Sequence, residues 1–427
     1  MSIIPTKARW LLLLLVLATF SLHAQIRIAS PYSRFGIGDL SGNTNAWNLS
    51  MGGIGTALRS PYHINLTNPA SYSAFDSNAF IFEGGFLTTL VTLESNLQSS
   101  SRNYGSLGYL VFGLPVTKWW HTSFGITPFS DVGYHIAVVQ KTEGIGSVTR
   151  SYIGEGGINR FFWGNSFRIF KNLSLGVNSE YLFGTIKRQA LAIFPDSIYF
   201  ADMELTNEMT VHAFHFNFGA QAQFKIGKDI NLLTGATFAA ETKMRATTDM
   251  LARTFFLSTS GTQYFKDTIA STEGYSGKVV LPMMLNLGFA FEKPDKWLAG
   301  ADVKWQNWEK YSAFGISDSL VNSLQVNAGA EFLPDINSYS NYLKRIRYRI
   351  GVNYNSTYLQ LREQNIKEYG FSVGFGLPLR GSKTGLNLGA QFGTRGTTDN
   401  GLIKETYFRF VVGFSIYEKW FVKRKYY

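Results

Sequence analysis

Three arginines stand at every second position, Arg345, Arg347 and Arg349. On an extended strand that spacing turns all three guanidiniums to one face. Arg409 lies the same way between Phe408 and Phe410 on a later run. Such a column can grip a carboxylate or another anion, or can be neutralised by acids such as Asp39. Interior arginines that simply pair across strands are also routine in a barrel. Other chemistry is sparse. There is no Cys, so disulfides and thiol redox sites are excluded. His212 and His215 are three apart, which on a strand sends them to opposite faces. No His/acid cluster has metal-ligand spacing, and no Ser sits in a nucleophile elbow. Gly36-Ile37-Gly38 and Gly52-Gly53-Ile54-Gly55 lack the preceding strand, following helix and lysine of a nucleotide loop. The residues point away from an enzyme, a metal, a cofactor and a nucleic-acid partner.

The elements that carry these residues are strands. Phe214, Phe216, Phe218, Ala220 and Ala222 alternate with His215, Asn217, Gly219 and Gln221. A helix would mix the two sets; a strand separates them. The same period recurs at 173–178, 345–354, 370–377 and 407–416, in runs of about ten residues, enough for a tilted strand to cross a bilayer. The composition agrees. Of 427 residues 42 are Gly, 15% are aromatic and only 16% charged, against about a quarter in soluble domains. After the first 25 residues no apolar run has helical spanning length. Short polar links such as 115–118, 171–172, 227–229 and 380–383 mostly alternate with long ones near 186–209, 242–276, 307–322, 356–367 and 394–404. That asymmetry predicts an all-β, transmembrane antiparallel β-barrel of about 14 strands (14–16). Thr127–Asp131 reads as a turn or as a kink within one strand. Trp119, Trp120, Trp297 and Trp420 fall near Lys at strand ends, as an interfacial aromatic girdle would.

Ahead of the strands lie two segments of other character. Lys7 and Arg9 precede an apolar run from Trp10 to Phe20, and Ala24-Gln25 follows. This reads as a signal peptide over 1–24, cut near Ala24. Losing Lys7 and Arg9 takes the formal charge from +11 to +9. Residues 25–77 are rich in Gly, Asn, Ser and Pro with little alternation. A stretch that long needs a role in a compact protein, and a hatch or plug inside a barrel spanning 78–427 suits its glycines.

The run Met51-Gly52-Gly53-Ile54-Gly55-Thr56-Ala57, followed by Asn68-Pro69-Ala70 and then a Gly/aromatic barrel, resembles the FadL-type outer-membrane transport family. Phe112-Gly113-Leu114-Pro115, Pro128–Tyr134, Gly154-Glu155-Gly156-Gly157 and Trp420–Lys425 resemble Bacteroidota members of that group. The resemblance implies a fourteen-stranded barrel with an N-terminal hatch that moves a small hydrophobic or amphipathic molecule, fatty-acid-like for example. It also implies the outer membrane of a Gram-negative bacterium, with its lipid as partner. Hatch roles would fall on Met51, Gly52, Gly53, Gly55, Asn68, Pro69 and Ala70. The alternative on the same fold is a scaffold or shuttle barrel in an envelope machine such as type IX secretion, with a protein partner.

Overall fold

The computed structural model describes residues 27–196, 200–258, 261–338, 340–379 and 382–419. The expected signal segment, its cleavage point and Trp420 lie outside the described residues. The strands, in chain order, begin with β1 (Asp39–Leu40), β2 (Ala79–Glu94), β3 (Ser99–Pro115), β4 (Trp120–Thr142), β5 (Gly146–Arg168) and β6 (Leu173–Ile193). There follow β7 (Asp202–Lys225), β8 (Asn231–Ala239), β9 (Thr242–Leu257), β10 (Gln263–Leu281), β11 (Met284–Lys293) and β12 (Trp297–Gln306). The last are β13 (Ser312–Ala313), β14 (Ser323–Phe332), β15 (Arg347–Leu361), β16 (Gln364–Pro378), β17 (Gly385–Arg395) and β18 (Lys404–Lys419). β8 and β9 make one stave broken at 240–241, and β10 and β11 another broken at 282–283. With β1 and β13 as short strands laid on other staves, the wall is a closed antiparallel barrel of 14 strands. Closure is made by β18 on β2, paired from Lys404↔Glu94 to Lys419↔Ala79.

Burial fixes which face is which. Phe214 is 67% exposed, whereas His215 is 5% and Asn217 1% exposed. Phe216, Phe218, Phe224 and Ile226 are exposed with Phe214. Large apolar side chains thus face outward and polar ones inward. Hydrocarbon tolerates this because the backbone groups of a barrel wall within the membrane pair with neighbouring strands. Among the described residues no helix is long and apolar enough to cross a membrane.

The wall is lopsided. β4, β5 and β7 run for 23, 23 and 24 residues, while β12 and β14 have 10 each. About ten residues suffice for a tilted crossing, so β4–β7 with β9 and β10 rise well past the apolar band on the long-loop side. Three expected long loops are corrected. Much of 186–209, 242–276 and 356–367 is strand, in β6, β7, β9, β10, β15 and β16. Above the bilayer neither face must be apolar, so the alternation weakens and the pairing persists. Thr127–Asp131 is a kink within β4, where Phe129, directly after Pro128, is the extra residue of a bulge between pairs Pro128↔Asn159 and Ser130↔Ile158. Proline has no N–H for the ladder, and a bulge is where a sheet accommodates it.

Residues 28–77 fold inside the wall, most of them buried. Their short helix α1 (Ala46–Leu49) starts at Asn45, whose Oδ1 accepts from Asn48 N at 3.0 Å. A 3-10 turn, Pro69–Ala74, starts at Asn68, whose Oδ1 accepts from Ala70 N at 3.0 Å. Where this segment presses the wall, the wall offers glycine. Gly329 pairs with Gly351 and Gly176 with Gly219. A Cβ on Gly351 would lie 2.1 Å from Gly52 N, and one on Gly219 would lie 2.1 Å from Asn68 Oδ1.

Candidate functional site: a lumenal cavity beside an open seam

The inner segment is tied down by side chains of the wall. One Asp302 carboxylate oxygen accepts from Gly55 N at 2.6 Å and Thr56 N at 2.8 Å. Gly52 N donates to Ser372 Oγ at 2.8 Å. Asn68 Nδ2 donates to Thr56 O at 2.7 Å and to Ala220 O of β7 at 3.1 Å. Met51 and Ala70 are fully buried, and Ala70 O accepts from Ser166 Oγ at 2.9 Å. The residues Met51, Gly52, Gly53, Gly55, Asn68, Pro69 and Ala70 therefore sit at the contact between segment and wall. At the short-turn end Lys383 holds Asp76 at 2.9 Å, and Tyr417 donates to the same carboxylate at 2.8 Å. Burial alone would raise the Asp76 carboxyl, but these two partners hold it below the usual carboxylate range.

The expected arginine column divides. Arg345 is corrected: it ends a 3-10 turn, Tyr342–Arg345, at the short-turn rim and reaches toward Leu379 O at 3.5 Å. Asn341 starts that turn by accepting from Leu343 N, so the strand begins only at Arg347. Arg347 and Arg349 do face the lumen, but both close on Glu331 of β14, each at 2.7 Å. Arg347 also donates to Tyr62 OH at 2.9 Å, and Arg349 to Asn387 Oδ1 at 2.7 Å. These two cations fasten staves and the inner segment together. Arg409 differs. Among the described residues it has no acid partner, and its guanidinium donates to the amide oxygen of Gln391 at 2.9 Å.

Arg409 borders a lumenal cavity of about 190 Å³. The inner segment supplies one side through Ser30, Asp39, Ser41 and Gly53; the wall supplies Tyr104, Lys304, Gln325, Asn355 and Arg409. Asp39 is held by Arg395 at 2.8 Å, and Ser30 Oγ donates to Glu405 at 2.5 Å. Lys304 makes no ion pair or hydrogen bond among the described residues. The cavity is lined by three cations, Arg395, Lys304 and Arg409, and three acids, Asp39, Glu368 and Glu405. Arg395 is taken by Asp39, whereas Arg409 and Lys304 make no ion pair among the described residues and Arg409 feels Glu368 and Asp39 only through space. Lys304 escaped the sequence reading, although its place between Val303 and Trp305 gives it the inward facing. A charged, amide-lined space of this size is wet, unlike the dry apolar cavities near 150 Å³ that accept benzene.

The wall beside the cavity is incomplete. β3 pairs with β4 over only six positions, Leu110↔Ile126 to Pro115↔His121. Beyond these β4 stays paired to β5 and β3 to β2, but they leave one another. The inner segment covers part of the freed β4 edge. Asp39 and Leu40 pair with Asp131 and Ser130, Ser41 N donates to Phe129 O at 3.0 Å, and Ser30 N to Gly133 O at 2.8 Å. The outer half of β3, which includes the cavity residue Tyr104, has no strand on that side among the described residues. Toward the long loops, an apolar cluster fills the lumen. Ile37, Ile158, Leu182, Trp308, Tyr358 and Leu359 are among its buried members.

At the short-turn rim Trp119 is exposed and stacks near Phe167, ring centroids 6.0 Å apart. Trp120 is half-buried, its Nε1 donating to Asn165 Oδ1 at 2.9 Å. Trp297 is exposed at the start of β12. Among the described residues no three His, Cys, Asp or Glu cluster as metal ligands would.

The antiparallel barrel of 14 staves is the fold of FadL-type outer-membrane proteins. Solved structures of that type are similar to this chain in fold. The toluene transporter TodX of Pseudomonas putida aligns with a TM-score of 0.55 at 15% identity, over 90% of this chain and 100% of that one. The toluene transporter TbuX of Ralstonia pickettii gives 0.57 at 12%, over 88% and 98%. A FadL homologue of Pseudomonas aeruginosa gives 0.54 at 12%, over 90% and 100%. No curated protein matches by sequence. The BamG family model matches residues 7–427, and the chain belongs to the BamG family.

Proposed function

We propose that this chain is an outer-membrane barrel that passes a small amphipathic molecule from its apolar outer lumen, through the cavity, to the membrane by way of the β3–β4 seam. The parted seam carries this reading. A polar solute gains nothing from a side exit into lipid, whereas a greasy one partitions there favourably, by about 0.8 kcal/mol per buried CH₂. The inner segment acts as a fixed hatch: its ties to Asp302, Ser372 and the Ala220 carbonyl of the wall hold it in the lumen and leave the side as the open route. The polar cavity adds a requirement. Arg409 and Lys304 would take the anionic end of the passenger, a carboxylate for instance, while its apolar part lies toward the seam.

The channels and transporters similar in fold carry toluene and other monoaromatic hydrocarbons. Hexanoate and hexanol separate the two demands. The purified barrel should bind hexanoate at least tenfold tighter than hexanol, and Lys304→Gln with Arg409→Gln should erase that preference. Equal affinity for the two, or no saturable binding of either, overturns the reading. A stoichiometric protein partner, with no small molecule extractable, would place the chain in an envelope assembly instead.

A further inference from the structure

Three consecutive short turns share one composition. The turn between β3 and β4 carries Val116, Lys118 and Trp119; that between β5 and β6 carries Ile169, Phe170 and Lys171; that between β7 and β8 carries Ile226 and Lys228, next to Lys225. All of these side chains are exposed. The turns are neighbours in space: Arg168 N donates to Trp119 O at 2.8 Å, and Gln223 N to Asn172 O at 2.9 Å. Among the described residues, none of Lys118, Lys171, Lys225 and Lys228 has an ion pair or hydrogen bond. Elsewhere on the rim Lys383 is answered by Asp76 at 2.9 Å, and Lys293 by Asp229 of the β7–β8 turn at 3.3 Å, while Lys344 and Lys419 stand singly and without an ion pair among the described residues. The sector of unanswered charge begins under the two staves whose seam is parted.

We infer that this sector is a docking surface for anionic phospholipid headgroups of the periplasmic leaflet. Short turns lie on the periplasmic side of such barrels. Lys118, Lys171 and Lys225 each have an exposed apolar side chain next to them in the chain, and Lys228 has Ile226 two residues away, so the apolar group enters the acyl boundary while the ammonium reaches the phosphate layer. The cations follow the curve of the rim, where headgroups lie, and each of the three turns carries an exposed apolar side chain beside its charge; an acidic protein would need only the charge. Lipid held there stands beneath the seam. The inference depends on the membrane orientation and not on the uptake reading, so either can fail alone.

Native mass spectrometry of the purified full chain, titrated with phosphatidylglycerol or phosphatidylcholine, tests it. Phosphatidylglycerol should be retained in preference. Neutralising the four lysines together as Lys118→Gln, Lys171→Gln, Lys225→Gln and Lys228→Gln should remove the preference, at roughly fivefold in affinity per charge, the equivalent of about 1 kcal/mol each. Lys141→Gln with Lys266→Gln, on the opposite rim, should leave it intact. Equal retention of the two lipids, or undiminished phosphatidylglycerol binding after the fourfold change, overturns the inference. So does an acidic protein that co-purifies stoichiometrically and is lost from the fourfold variant while lipid retention is unchanged.

Discussion

One added methyl group shows how closely single residues are set. On Gly351 it would lie 2.1 Å from Gly52 N, and backbone cannot swing aside as a side chain does. Gly351→Ala should lower stability by about 1–3 kcal/mol, the usual range for overpacking, read as a lower Tm; an exposed-face change such as Ser100→Ala should not. Asp76 gives a pH test with a definite sign. Its carboxyl is held low in the folded chain, so the stability it adds is present above the unfolded value near pH 4 and is lost as pH falls through the folded one. The Tm gap between the native chain and Asp76→Asn should stay constant from pH 8 to about 5 and shrink below about pH 4. A gap that widens in acid contradicts the assignment. At this scale the sequence reveals cations better than their partners. The inward facing of Arg347, Arg349 and Arg409 follows from alternation, but Glu331 lies on another stave and its claim on two of them is a product of register. Arg345 misleads because Asn341 diverts the chain into a turn just where the alternation starts.

Strands were the most legible elements, because a lipid-facing side chain and a lumen-facing one differ at every second position. Boundaries outside the bilayer were not, since that demand stops at the headgroups; the upper parts of β6, β7, β9, β10, β15 and β16 therefore resembled loops. The parted seam was also hidden. Whether β3 meets β4 is a question of pairing, and locally only Pro128 hints that the ladder changes. Hydrogen exchange reads the seam directly. Amides of β3 between Ser101 and Leu107, paired on one side only, should exchange faster than those of β6 and β7 at comparable depth, which are paired on both. Uniform protection around the wall would mean that the seam is closed in the membrane.

The molecule as a whole is an inside-out protein, greasy outside and wet within. Lipids brominated in their acyl chains should quench Trp119 and Trp297 on the exterior and spare Trp308, which is buried in the apolar cluster. Single-Trp variants separate the signals, and strong quenching of Trp308 would invert the assigned faces. That the last strand joins the first has a consequence for biogenesis. The residues made earliest are enclosed by those made latest, as a ship is built in a bottle blown around it. Nothing the size of the inner segment passes a completed cylinder, so it must have taken its seat before β18 reaches β2. A copy of that segment offered afterwards, to a cylinder already sealed without it, would arrive too late.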